Sequence, residues 1–150
     1  MMIEMEAAVH SVSIDGENLT LEQVRSAARN MAPVRLHVLG KEKLLKSRKV
    51  VERIISRGEV AYGITTGFGK FSDVSISKED CNTLQKNIIM SHSCGVGEPL
   101  PQEVVRAMML LRANSLAKGY SGVRLEVVEL LLNMLNSGIH PVVPCKGSVG

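Results

Sequence analysis

Tryptophan is absent from this 150-residue chain, and tyrosine and phenylalanine number two each, so aromatics make up only 3% of it. A core must therefore be aliphatic, built from Leu, Val, Ile and the eight Met. At this length and 45% hydrophobic content, one domain with a real core is within reach. Cysteine is scarce as well. Cys81, Cys94 and Cys145 are odd in number and far apart, which rules out the close spacing of a zinc or redox motif and makes a reduced, cytoplasmic compartment the default. No apolar run approaches the length of a membrane span. Met1 to Ser13 carry Glu4 and Glu6 and lack the basic start and apolar stretch of a secretory signal. A strong charge of one sign is missing too, the net charge being +3. Lys41, Lys43, Lys46, Arg48 and Lys49 cluster, but no aromatics interleave them for base stacking. They read as a solvated helix face, so neither nucleic acid nor a membrane is an expected partner. His10, His37 and His140 have no ligand-like spacing to any acid or cysteine. They receive no role, and no metal is expected.

What is present is mostly helix, with a little β near the start. Val12 and Ile14 alternate with serines, Asp15-Gly16 gives a turn, and Leu19 follows, which predicts a short β-hairpin. Thr20 with Gln23 forms a capping-box pattern, so a helix runs from Leu21 to about Met31, ended by Pro33. A second spans about Lys41 to Arg57, with Leu44, Leu45, Val51, Ile54 and Ile55 on one side and Gly58 as its stop. A third runs from about Ser77 to Ser91, with Asn82, Gln85 and Lys86 outward. Pro101 suits the first turn of a fourth, whose stripe Val104, Val105, Met108, Leu111 and Leu116 reaches about Lys118. Met108 and Met109 read as bundle core. A fifth covers about Gly122 to Ser137, with Val123, Val127, Leu131, Met134 and Leu135 inward and Gly138 as cap. Apolar stripes of that length imply partners in further chain or in other subunits. The tail, His140 to Cys145, is apolar and proline-rich and therefore extended. Its backbone polar groups need partners. No repeat, linker or internal domain boundary is expected.

Four segments stand out from this background. Tyr62-Gly63-Ile64-Thr65-Thr66-Gly67-Phe68-Gly69 places three glycines beside one of the two tyrosines. Ser91-His92-Ser93-Cys94-Gly95-Val96-Gly97-Glu98-Pro99 follows, then Arg112 to Gly122, then Lys146-Gly147-Ser148-Val149-Gly150. Neither later glycine run is a phosphate loop, since no Gly-Lys-Ser/Thr ending and no preceding strand accompanies them. Together, in this order, the four motifs closely resemble the aromatic amino acid ammonia-lyases, and within them the histidine-specific branch. The resemblance runs from about Val12 to Gly150. It implies the N-terminal catalytic region of a longer chain with a mainly α, ammonia-lyase-type fold. It also implies that Ala-Ser-Gly follows Gly150 and cyclises into 4-methylidene-imidazole-5-one (MIO), an internal electrophile, so the gene is expected to continue past Gly150. Homotetramers with shared active sites are implied likewise, as is the conversion of L-histidine to trans-urocanate.

The residues themselves bear on this chemistry. Taking a β-proton from an amino acid needs a base, and a phenol must be tuned by its surroundings to serve as one near neutrality. Glycines beside Tyr62 leave its oxygen accessible. Read alone, Tyr62 could equally be a packing residue in a tight turn; the resemblance makes it the acid/base. His92 read alone is a cation at a helix C-terminus. The resemblance puts the Ser91-His92 pair in the side-chain pocket, where phenylalanine-specific relatives carry apolar or aromatic pairs. An imidazole can hydrogen-bond a substrate imidazole, and an apolar wall cannot. Gly63, Gly67, Gly69 and Gly95 are the glycines expected near the site, with Gly95-Val96-Gly97 permitting a turn beside the pocket. Cys94 reads as a small buried residue. Two alternatives remain open. One is a tyrosine ammonia-lyase or aminomutase, since some aminomutases carry Ser-His too. The other is a non-catalytic helical binding module, if these 150 residues are the whole protein.

Overall fold

The computed structural model describes residues 11–66 and 78–147. The chain divides into two compact units, one made of the residues up to Ser47 with Leu100–Val142, the other of Arg48–Pro99 with the residues from Val143 onward.

The first unit opens with β1 (Val12–Ile14), α1 (Leu21–Arg29) and β2 (Val34–Leu36). The strand pair near the start exists, but it is not a hairpin. β1 pairs in parallel with β2, Val12 opposite Val34 and Ile14 opposite Leu36, with α1 between them. The reason lies at Asp15. Its carboxylate accepts the backbone N–H groups of Glu17 (2.8 Å) and Asn18 (2.9 Å) and the Asn18 side-chain amide (2.6 Å). This turn steers the chain into α1 instead of back along β1. The same bonds, led by the two backbone donors, hold the Asp15 carboxyl far below the usual carboxylate range. Thr20 then caps α1 through the expected capping box, its Oγ1 accepting Gln23 N–H while Gln23 Oε1 accepts Thr20 N–H. The helix ends two residues early, at Arg29, because Met31 turns to a positive φ of 56° ahead of Pro33.

α2 (Val38–Arg57) starts earlier than expected, because His37 caps it. His37 Nδ1 accepts the Leu39 N–H at 3.2 Å, and its carbonyl accepts Lys41 N–H. A histidine without assigned role is thus a helix cap. α4 (Gln102–Ala117) packs on α1 and on α5 (Leu125–Asn136). Pro101 is the residue before α4. The face α4 buries matches the expected one at Val105 and Leu116 and departs from it elsewhere. Val105, Arg106, Met109, Leu110, Ala113, Leu116 and Ala117 are inside, while Val104, Met108 and Leu111 are exposed. Of the two methionines, Met109 alone is core. α5 is turned similarly, with Val128, Leu132 and Leu135 buried and Val127 and Leu130 exposed. So the expectation of uncovered apolar stripes holds for part of each helix only.

Arg106 lies in the middle of this core with 1% of its surface exposed. Its Nη1 donates to the Leu135 carbonyl (2.8 Å), its Nη2 to Ala27 (2.8 Å) and its Nε to Ala28 (3.2 Å). These carbonyls belong to the last turns of α5 and α1. Helix C-termini carry unpaired carbonyls and partial negative charge. One guanidinium therefore satisfies two helix ends at once and offsets its own desolvation. That burial still lowers its pKa from the usual arginine value, and an arginine stays charged regardless. Asn136 closes the sheet edge in a similar way. Its side chain accepts from the Val34 N–H and donates to the Val34 carbonyl, both at 2.8 Å, as a neighbouring strand would.

The second unit takes the end of α2, where the Gly58 N–H meets the Ile55 carbonyl and the Glu59 N–H meets Ile54, a Schellman ending at the expected glycine. It also holds α3 (Lys78–His92) and a two-stranded antiparallel sheet of β3 (Val96–Pro99) and β4 (Pro144–Lys146). The tail is extended, as expected, and its backbone finds its partners upstream, Val96 pairing with Lys146 and Pro99 with Pro144. Gly95-Val96-Gly97 therefore enters a strand rather than forming a turn. Side chains stay exposed along all of β3.

Candidate active site

Every residue singled out for chemistry falls in the second unit. Tyr62 opens a single hydrogen-bonded turn just after α2. The N–H groups of Ile64 and Thr65 both donate to the Ala61 carbonyl, at 3.1 and 3.0 Å. The Thr65 side chain ties the turn shut: Oγ1 accepts the Ala61 N–H at 2.9 Å and donates to the Glu59 carbonyl at 2.8 Å. Gly63 takes a φ of 72° within it, and Thr66, next along, is buried. The Tyr62 ring itself is 65% exposed. The phenol thus stands on a braced backbone with its ring largely open. Gly67 and Gly69 lie outside the described residues.

Sequence reasoning does not single out Thr65, although a signal for it exists. Serine and threonine hydroxyls close short turns by bonding nearby backbone. A Thr-Thr pair three residues after a tyrosine in a glycine-rich loop is a candidate for that task.

His92 is the last residue of α3 and is exposed. Its Nδ1 lies 2.9 Å from the Ile88 carbonyl oxygen and 2.9 Å from Ser91 Oγ. Ser91 Oγ donates to the same Ile88 carbonyl at 2.9 Å, and Ser93 Oγ donates to Ile89 at 2.6 Å. Short hydroxyl side chains thereby occupy carbonyls at this helix end. Cys94 follows, exposed rather than buried. Its N–H donates to the His92 carbonyl at 3.0 Å, which holds it in the open connection before β3, away from any core.

Gly95 and Gly97 owe their presence to the β3–β4 contact. A side chain at Gly95 would put its Cβ 2.9 Å from the Pro144 ring. At Gly97, φ is 91° and a Cβ would come within 2.8 Å of Cys145 Sγ. Both strand backbones approach where only glycine fits. The structure sets Tyr62, Gly63, His92 and Gly95 each in a defined local frame. Among the described residues no cluster of three or more His, Cys, Asp or Glu is placed to hold a metal.

Comparison with known proteins places these features. The aromatic amino acid lyase family model matches residues 19–150. A histidine ammonia-lyase of Caldanaerobacter subterraneus subsp. tengcongensis is 63% identical over 139 residues, covering 93% of this chain and 27% of that protein. Among solved structures, histidine ammonia-lyase from Trypanosoma cruzi superimposes with a TM-score of 0.85 at 36% identity, over 94% of this chain and 27% of that one. Tyrosine aminomutase from Streptomyces globisporus does so with a TM-score of 0.87 at 40% identity, over 93% and 26%. The chain spans about a quarter of the length of the curated relatives it matches.

Proposed function

The chain belongs to the aromatic amino acid lyase family, and on that footing we propose that it is the N-terminal part of a histidine ammonia-lyase, which eliminates ammonia from L-histidine to give trans-urocanate. The observation that carries the choice of substrate is Ser91-His92 at the end of α3. An exposed imidazole there offers a polar partner to a substrate imidazole, where an apolar pair would offer none. The high identity to a histidine ammonia-lyase supports the same reading.

In this reading Tyr62 removes the β-proton. Its ring is open and its backbone is braced by Thr65, which suits a group that must meet substrate at a fixed position. As the C–H bond breaks, its electron pair forms the new double bond and the C–N bond breaks in turn. His92 holds the substrate ring so that the β-carbon faces the phenol. Formed from Ala-Ser-Gly after Gly150, MIO would supply an electrophile that makes the amino group a better leaving group. β4, which leads into Gly147, is paired by β3. Homotetramers with shared sites and a cytoplasmic location complete the proposal. A tyrosine ammonia-lyase or aminomutase is the second reading, favoured by the likeness to the Streptomyces aminomutase.

The test is turnover by the full-length protein, with urocanate, cinnamate and coumarate each followed by absorbance. Urocanate should be the main product. His92→Leu should weaken histidine use and improve relative activity on phenylalanine, the pocket having lost its polar partner. Coumarate or β-tyrosine from tyrosine at a higher kcat/KM than histidine turnover would overturn the histidine assignment. An unchanged histidine-to-phenylalanine ratio in His92→Leu would remove that residue from the pocket.

A further inference from the structure

His92 Nδ1 faces two oxygens, and what those oxygens can do decides which way the ring is protonated. The Ile88 oxygen is a carbonyl and can only accept. It sits 2.9 Å from Nδ1, a hydrogen-bond distance. A bare Nδ1 would set lone pair against lone pair there, so Nδ1 carries the proton. Ser91 Oγ gives its own proton to the same carbonyl at 2.9 Å and meets Nδ1 at 2.9 Å with a lone pair. Both oxygens therefore accept from one N–H. In a neutral imidazole the other nitrogen is then the acceptor.

Resting on the proposed histidine lyase activity, we infer that Ser91 is a positioning residue: with the Ile88 carbonyl it holds His92 as the Nδ1–H tautomer, leaving Nε2 to accept a hydrogen bond from an N–H of the substrate ring. The Ile88 carbonyl selects the tautomer, since it belongs to the helix and cannot rotate away. Ser91 adds the second contact that stops the ring from swinging about its side-chain bonds. His92 thereby becomes a one-way reader. It rewards a ring that donates and gains nothing from a plain hydrocarbon ring.

Magic-angle-spinning nitrogen-15 NMR of the full-length protein, labelled at histidine nitrogens, tests the tautomer without any turnover. The His92 signals are assigned by their loss in His92→Gln. In the neutral ring, Nδ1 should be protonated and Nε2 bare; a bare Nδ1 overturns the inference. Ser91→Ala should keep the tautomer but broaden the ring signals. It should also raise KM for L-histidine about threefold to tenfold, the scale of one hydrogen bond, with kcat within about a factor of two. Ser91→Thr, which keeps the hydroxyl, should restore both, and KM for phenylalanine should not move in either variant. An unchanged histidine KM in Ser91→Ala overturns the positioning role. If instead the parent protein shows the Nδ1–H tautomer but releases no urocanate, the proposed activity fails while the tautomer assignment stands.

Discussion

The two units of this chain manage their side chains in opposite ways. Every buried hydrophobic residue among the described ones, from Val12 to Leu135, belongs to the first unit, and so does the one buried charge, Arg106. Among the described residues, the second unit buries only Thr66 to the same degree and leaves Val60, Tyr62, Ile89, Met90 and Val96 more than 60% exposed. Tyr62 and His92, the residues proposed to carry the chemistry, are in the second. One unit gains stability from a closed aliphatic core. The other relies on hydrogen-bonded turns and helix ends to hold polar groups in the open. Loops and element ends held by short bonds are where reactive groups stay accessible. A closed core excludes the solvent and substrate such groups need.

This contrast can be broken by mutation. The largest effect is expected at Tyr62. Tyr62→Phe removes one hydroxyl and keeps the ring, so turnover of histidine by the full-length protein should fall by about a hundredfold to ten-thousandfold. Its urea midpoint should stay unchanged. Near-normal turnover would take Tyr62 out of the mechanism. Arg106→Leu should do the reverse. It takes the guanidinium away from the Ala27, Ala28 and Leu135 carbonyls, of which Leu135 keeps the Gly138 N–H, so at about 1–3 kcal/mol for each buried acceptor that loses its donor a loss of about 2 kcal/mol or more is expected from urea unfolding. A stable Arg106→Leu protein would mean that water or other groups satisfy those carbonyls.

Smaller changes sharpen the comparison. Gly97→Ala forces a side chain into a φ of 91° against Cys145, at a cost of about 1–2 kcal/mol. Hydrogen exchange should speed up in Val96–Pro99 and not in α4, and exchange that rises evenly through both units would erase the distinction drawn here. The smallest effect is expected at Asp15, which is half-buried and still screened by solvent. Folding holds its carboxyl below the ordinary value, so its contribution is full above the ordinary carboxylate range and is lost as pH falls through and below that range. The gap in urea midpoint between the parent and Asp15→Ala should be present at pH 7 and close as pH drops below about 4. A gap that widens on acidification would contradict the turn described at Asp15.

Capping chemistry could be read directly from the residues. Thr20 with Gln23, and Gly58 after Ile55, are local patterns whose bonds span a few residues, and the structure has them where they are expected. Faces of helices were less legible. α4 carries apolar residues on nearly every side, so a 3.6-residue period does not choose among them. Val105 and Leu116 are inside as expected, while Met109 and Leu110 replace Met108 and Leu111 on the side where Arg106 reaches the ends of α1 and α5. The parallel β1–β2 pairing was hidden for the same kind of reason. Val12 and Val34 are 22 positions apart, and no turn pattern links them. At the site, the motifs at Tyr62 and His92 were visible, while Thr65 and the role of Ser91 were not, because their effect lies in where a hydroxyl points.

The residue order alone determined the helical class, the capping box at Thr20, the glycine stop at Gly58 and the family. Each of these is written in short windows or in motifs read in sequence. Tertiary structure decided which helix faces are buried, which strand β1 takes as partner, and that an arginine belongs in the core. Those outcomes depend on atoms brought together from distant positions, such as the carbonyls of Ala27 and Leu135 around one guanidinium, or on angles at the scale of a single hydrogen bond. Neither is a property of the order of residues taken locally.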